Sequence, residues 1–143
     1  MKSQEVRIYR EIQKNTQLAM KAMDTLSDKV YDERLAAQIS KQTLGYSRIH
    51  NQAMENLLQA KAEPYHGSHV ENILRKGSLH YNTLLNTSTG RIAEVMIKES
   101  NSGILEMSKI LNRSEEAGEK PLTLAKELLD FEQDSIETLK QYL

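Results

Sequence analysis

Apolar residues recur every three or four positions through most of this chain, and that spacing leaves few folds open to it. A 3.6-residue period places such residues on one face of a helix, whereas strands need a period of two. The sequence holds only 6 Gly and 2 Pro in 143 residues, with 5% aromatics. Turn chemistry and sheet formers are therefore both scarce, and the expected class is all-α. The length fits one domain with one core, residues 1–143.

Four segments carry the pattern. The first spans about Ser3 to Lys29, with Ile8, Ile12, Ala19, Met23, Leu26 and Val30 on its stripe. The second spans about Asp32 to Ala62, through Leu35, Ile39, Tyr46, Ile49 or His50, Ala53, Leu57 and Ala60. Asp32 suits an N-cap, and Pro64 prevents extension. Glu63-Pro-Tyr-His-Gly67 reads as a loop, after which Ser68 and Glu71 form a capping box opening a third helical region that reaches Asn112. A single rod of that length would be roughly 65 Å, against about 40–45 Å for its neighbours. A kink or break is therefore expected, at Gly77-Ser78 or within Asn86-Thr-Ser-Thr-Gly90. The last helix starts at Pro121 and runs to the C-terminus. Short connections between such helices predict an antiparallel four-helix bundle with a kinked or broken third helix.

Composition excludes several functions. A formal net charge of −1 supplies no global field for nucleic acid, and no apolar run approaches the length of a membrane span. Neither nucleic acid binding nor membrane insertion is expected. The absence of Cys removes disulfides, thiolate metal sites and thiol nucleophiles, which suits a cytoplasmic protein. The sequence lacks Gly-x-Ser-x-Gly, a phosphate-binding loop and His-Glu-x-x-His. Tyr9, Leu44, Leu58 and Leu105 fall off the main stripes, as an exposed apolar face that a homodimer would cover.

The chemistry that remains lies in polar residues on inward stripes. Glu132 interrupts Ala125, Leu128, Leu129, Ile136 and Leu139, with Ser135 beside it. Asn15 and Thr16 interrupt the first helix, His50 the second and Glu99 the third. Buried polar groups need partners, so Asn15, Thr16, Tyr46, His50, Glu99, Glu132 and Ser135 are expected to form a polar layer across the bundle. Gln42, Tyr46 and His50 share one helix face and could make a hydrogen-bond ladder. Glu132 is expected to pair with His50, Tyr46, Asn15 or Thr16.

Tyr46-Ser-Arg-Ile-His50, Ile92-Ala-Glu-Val-Met-Ile97 with Gly103-Ile104, and Glu127-Leu-Leu-Asp-Phe-Glu132 with Leu139-Lys-Gln-Tyr-Leu143 give the chain its character. In this pattern it resembles small bacterial proteins of the ferritin-like four-helix-bundle class. The resemblance implies a carboxylate site for two irons, built from single Glu ligands and Glu-x-x-His pairs. Here Ser135 stands three after Glu132, and Ser47 three before His50, where that pattern asks for His and Glu. The expected function is accordingly non-enzymatic, acting through the surface or by self-association, without a cofactor. The alternative is residual binding of iron, manganese, zinc or a small molecule at the polar layer, through Glu132, His50 and Glu99.

Overall fold

The computed structural model describes residues 1–67 and 84–143. Their regular structure is helical throughout: α1 (Ser3–Ser27), α2 (Glu33–Gln59), α3 (Thr89–Asn112) and α4 (Glu119–Leu139), closed by a 3₁₀ turn at Lys140–Tyr142. Helix α1 packs on all three others, α3 on α4, and α2 on α4. The result is a bundle in which no helix among the described residues is long and apolar enough to cross a membrane.

The helix ends follow from local chemistry. The Asp32 side chain accepts a 2.8 Å hydrogen bond from the Leu35 amide and starts α2. At the other end, Lys61 takes a left-handed conformation with φ 57°. Its amide donates to the Leu58 carbonyl, and the Ala62 amide donates to the Leu57 carbonyl. These two bonds are a Schellman motif, which ends α2 ahead of Pro64. Helix α2 is therefore shorter than the apolar spacing suggests.

Helix α3 begins at Thr89, inside the Asn86–Gly90 stretch. Residues 84–88 are not helical, and Ser88 caps α3 by accepting from the Arg91 amide. Gly77-Ser78, and the capping box at Ser68 and Glu71, lie outside the described residues. Pro121 is the third residue of α4 and not its first, because Gly118 is the N-cap. Both positions lie in the first turn, where Pro sacrifices no intrahelical bond. The Gly118 amide instead donates to Glu5 at 3.1 Å, and the Glu116 amide donates to Gln4 at 2.9 Å. The start of α1 is thereby tied to the loop entering α4.

Two apolar clusters fill the interior. One gathers Ile8, Tyr9, Ile12, Tyr46, Ile49, Ala53, Leu57, Met107, Leu124 and Leu128. The other gathers Ala22, Met23, Leu26, Leu35, Ile39, Ile92, Val95, Met96 and Leu139. Tyr9 belongs to the first cluster and is fully buried, which corrects its assignment to an exposed face. Helix α1 contacts three helices, so its buried face is wide enough to take both Ile8 and its neighbour. Leu44, Leu58 and Leu105 are exposed. Met23, Met96 and Met107 are buried as flexible core fillers.

Gly45 of α2 lies against the Phe131 ring of α4. A Cβ there would collide with the Phe131 ring, which stands edge-on to Tyr46 with centroids 5.0 Å apart. The Gly45→Ala substitution should therefore destabilise the protein by about 1–3 kcal/mol, despite the ~1 kcal/mol that Ala gains in helix propensity. Urea unfolding measures the difference. A variant as stable as the parent would show that Phe131 does not hold this position.

Candidate functional site

Between the two apolar clusters each helix contributes polar residues at the same level. Helix α1 brings Gln13, Asn15 and Thr16, and α2 brings Gln42 with the Tyr46 hydroxyl. Helix α3 brings Glu99, Ser100 and Gly103, and α4 brings Glu132 and Ser135. Gln13, Asn15, Thr16, Gln42, Tyr46, Ser100, Glu132 and Ser135 are all buried, while His50 and Glu99 are half-buried at the edge.

Glu132 is the centre of this layer. It is 1% exposed, and both carboxyl oxygens press on the backbone of α3 where it carries no side chain. A Cβ on Gly103 would lie 2.6 and 2.7 Å from the Glu132 oxygens and 2.9 Å from Asn15 Oδ1. Asn15 in turn donates from Nδ2 to the Gly103 carbonyl at 2.9 Å. One glycine thus lets α1, α3 and α4 converge. Glu132 Oε2 has no hydrogen-bond partner among the described residues. A carboxylate left so would carry an uncompensated buried charge. Burial, reinforced by the charge of Glu99, raises the Glu132 pKa to about 8. The group is therefore a neutral carboxylic acid at neutral pH.

Tyr46 faces the same group from α2. Burial first, then the charges of Glu132 and Glu99, push its pKa upward against a hydrogen bond with Ser100. The phenol stays neutral. His50 belongs elsewhere: its Nδ1 lies 3.0 Å from Thr16 Oγ1, in a pairing with α1 and not with Glu132. The Thr16 hydroxyl also reaches the Ile12 carbonyl at 2.8 Å and the Gln13 carbonyl at 3.1 Å. One proton serves one acceptor at a time, so the network favours imidazole protonated at Nδ1, with Thr16 donating to Ile12. Burial lowers the His50 pKa, opposed by its hydrogen bond to the Gln13 backbone.

The ladder along α2 does not form. Gln42 accepts from Gln38 at 2.8 Å, Tyr46 bonds Ser100, and His50 bonds Thr16. Tyr46 and His50 are thus paired with α3 and α1, and Gln42 with the residue one turn before it. His66 pairs with Glu63 at the surface, and His69 and His80 lie outside the described residues. Gln13, Gln42 and Ser100 were not anticipated in the layer. A positional signal existed: Gln42 falls between Ile39 and Tyr46, and Ser100 between Met96 and Met107, each in step with the apolar stripe.

A dinuclear iron site does not fit this donor set. Among the described residues no three His, Cys, Asp or Glu side chains are disposed to hold a metal ion. The Glu132 carboxyl is in contact with the position that a Gly103 side chain would take, beside the Asn15 amide and the Tyr46 phenol, with Glu99 as the one other carboxylate acting on it. Comparison of the chain with protein families, with curated proteins and with solved structures found no match.

The raised pKa makes stability depend on pH with a defined sign. Folded Glu132 holds its proton to about pH 8, whereas the unfolded group releases it near 4.5. The native state therefore binds the extra proton between those values. Its stability is fully present below the lower value, falls as pH rises, and levels off above the upper one. His50, with a pKa lowered from the ordinary 6.5, acts in the opposite direction below that value. The comparison with Glu132→Gln isolates the carboxyl. That variant should lose the decline and exceed the parent by ~1–3 kcal/mol at pH ~8. Thermal unfolding at several pH values measures both. Parallel profiles would show that Glu132 ionises normally.

Proposed function

We propose that this chain is a non-enzymatic, antiparallel, ferritin-like bundle that acts through its outer surface, in the cytoplasm, as a homodimer. Contact order along the helices supports the antiparallel arrangement. Gln13 meets Met54 while Arg10 meets Glu63. Gly103 lies against Glu132, while Gly90 lies near Tyr142 and Leu143. A long connection from α2 to α3, with α1 packed on both α2 and α3, matches the ferritin-like connectivity.

The observation that carries the surface reading is on α2. Leu44 is 72% exposed and Leu58 is 59% exposed. They are fourteen residues apart, close to four full turns, so they point the same way from one helix, roughly 21 Å apart. Large apolar side chains held in water on one face are stabilised when a second surface covers them. The buried polar layer is tied into the helix packing by Asn15 on the Gly103 carbonyl and by Thr16 with His50.

A self-complementary contact across this face requires Leu44 and Leu58 from both copies. Sedimentation equilibrium should give twice the 16.4 kDa of the chain. Leu44→Glu with Leu58→Glu should return the single-chain mass without loss of helix signal, since neither side chain is in the core. A single-chain mass for the parent protein at several hundred µM would refute the dimer.

A further inference from the structure

A second surface lies on the face of α1 that carries Arg7, Arg10 and Lys14. These residues follow the i, i+3, i+7 spacing, so their side chains leave one side of the helix over about 10 Å of its axis. The loop after α2 forms the opposite wall. It is tied down by two bonds: Arg10 Nε donates to the Glu63 carbonyl at 2.9 Å, and the Tyr65 amide donates to Gln13 Oε1 at 2.8 Å. Between them runs an open groove of about 730 Å³, lined by Val6, Arg7, Arg10, Glu11, Lys14 and Tyr65. That volume falls in the range of small-molecule sites.

Three features of the groove point to an anion. Arg7, Arg10 and Lys14 form no ion pair among the described residues, although acidic side chains abound elsewhere on the surface. The Tyr65 hydroxyl is shielded from solvent and has no hydrogen-bond partner among the described residues. A buried donor in that state is stabilised by an acceptor brought to it. Glu11 is the one acid among the groove's lining residues, so Arg7, Arg10 and Lys14 outnumber it and the lining keeps a net positive charge.

From this geometry we infer that the groove binds a soluble small molecule carrying two or more phosphate groups. The guanidinium forks of Arg7 and Arg10 match phosphate oxygens in pairs, and Lys14 supplies a point charge farther along the helix. A single oxyanion is small for cations spread over this length, whereas a phosphate chain can follow them. A turn of the Tyr65 side chain on binding brings its shielded, unpartnered hydroxyl to a phosphate oxygen, and its ring with Val6 offers an apolar wall to the rest of the ligand. This inference is independent of the dimer, whose proposed face is on α2.

Calorimetric titration of the full chain with inorganic triphosphate tests it. Saturable binding at one site per chain is expected, weakening as salt is added. Arg7→Gln and Lys14→Gln remove charges that hold no structural bond, so each should weaken binding about tenfold while the helix signal is unchanged. Tyr65→Phe should weaken it severalfold. Lys126→Gln, an exposed change on α4, should leave it within about twofold. No saturation up to about 10 mM triphosphate at low salt would overturn the inference. So would a loss in Lys126→Gln equal to that in Arg7→Gln. Binding to anionic phospholipid vesicles or to DNA, without binding to triphosphate, would likewise assign the groove to another class of ligand and overturn it.

Discussion

Everything in this bundle is arranged around a carboxyl group that has no room for a charge. Glu132 projects from α4 into the junction between two apolar clusters and presses on Gly103 of α3, with Asn15 of α1 alongside. Water cannot reach it, and Oε2 has no hydrogen-bond partner among the described residues. The low-energy form is the protonated one. Protonation removes the desolvation penalty of a charge, and it leaves a polar group that can sit in only one register. If α3 slid by a turn, the Glu132 oxygens would meet a side chain in place of the glycine. The layer thus acts against alternative packings of helices whose apolar stripes are similar to one another.

The same argument accounts for the companions of Glu132. Asn15 bonds the Gly103 carbonyl, so the backbone of α3 is held to α1 at the glycine. Tyr46 spans the boundary, with its ring against Phe131 in the apolar part and its hydroxyl on Ser100 in the polar part. Thr16 and His50 close the α1–α2 side separately. Polar pairs of this kind contribute little net stability, yet breaking one partner leaves a buried group unsatisfied. Their main effect is on which arrangement forms. The apolar clusters on either side supply the larger share of the folding free energy.

Much of this was legible in the chain, for physical reasons that differ from residue to residue. The helices follow from apolar spacing, since Ile8, Ile12, Leu35, Ile39, Leu128 and Leu139 are all buried where that spacing puts them. Glu132 stood out because a carboxylate between Leu128 and Ile136 contradicts the stripe. Gln13 and Ser100 did not stand out, because neutral polar residues are common on helix surfaces and no charge flags them. Tyr9 was misplaced because a helix touching three others buries more than one narrow stripe. Gly103 lies within a helix, and the reason for it lies in α4, nearly thirty residues away. The groove beside the basic side chains of α1 depends on the loop at Tyr65, a long-range contact that no helical spacing shows.

The central claim is that Glu132 is a neutral acid held by packing. Its most direct test is a carboxyl carbon NMR titration of Glu132 in the folded protein, assigned by comparison with Glu132→Gln. The account predicts a single midpoint near 8, unchanged when divalent metal ions are added. A midpoint near the ordinary value of 4.5, or one that metal ions move sharply downward, would contradict it.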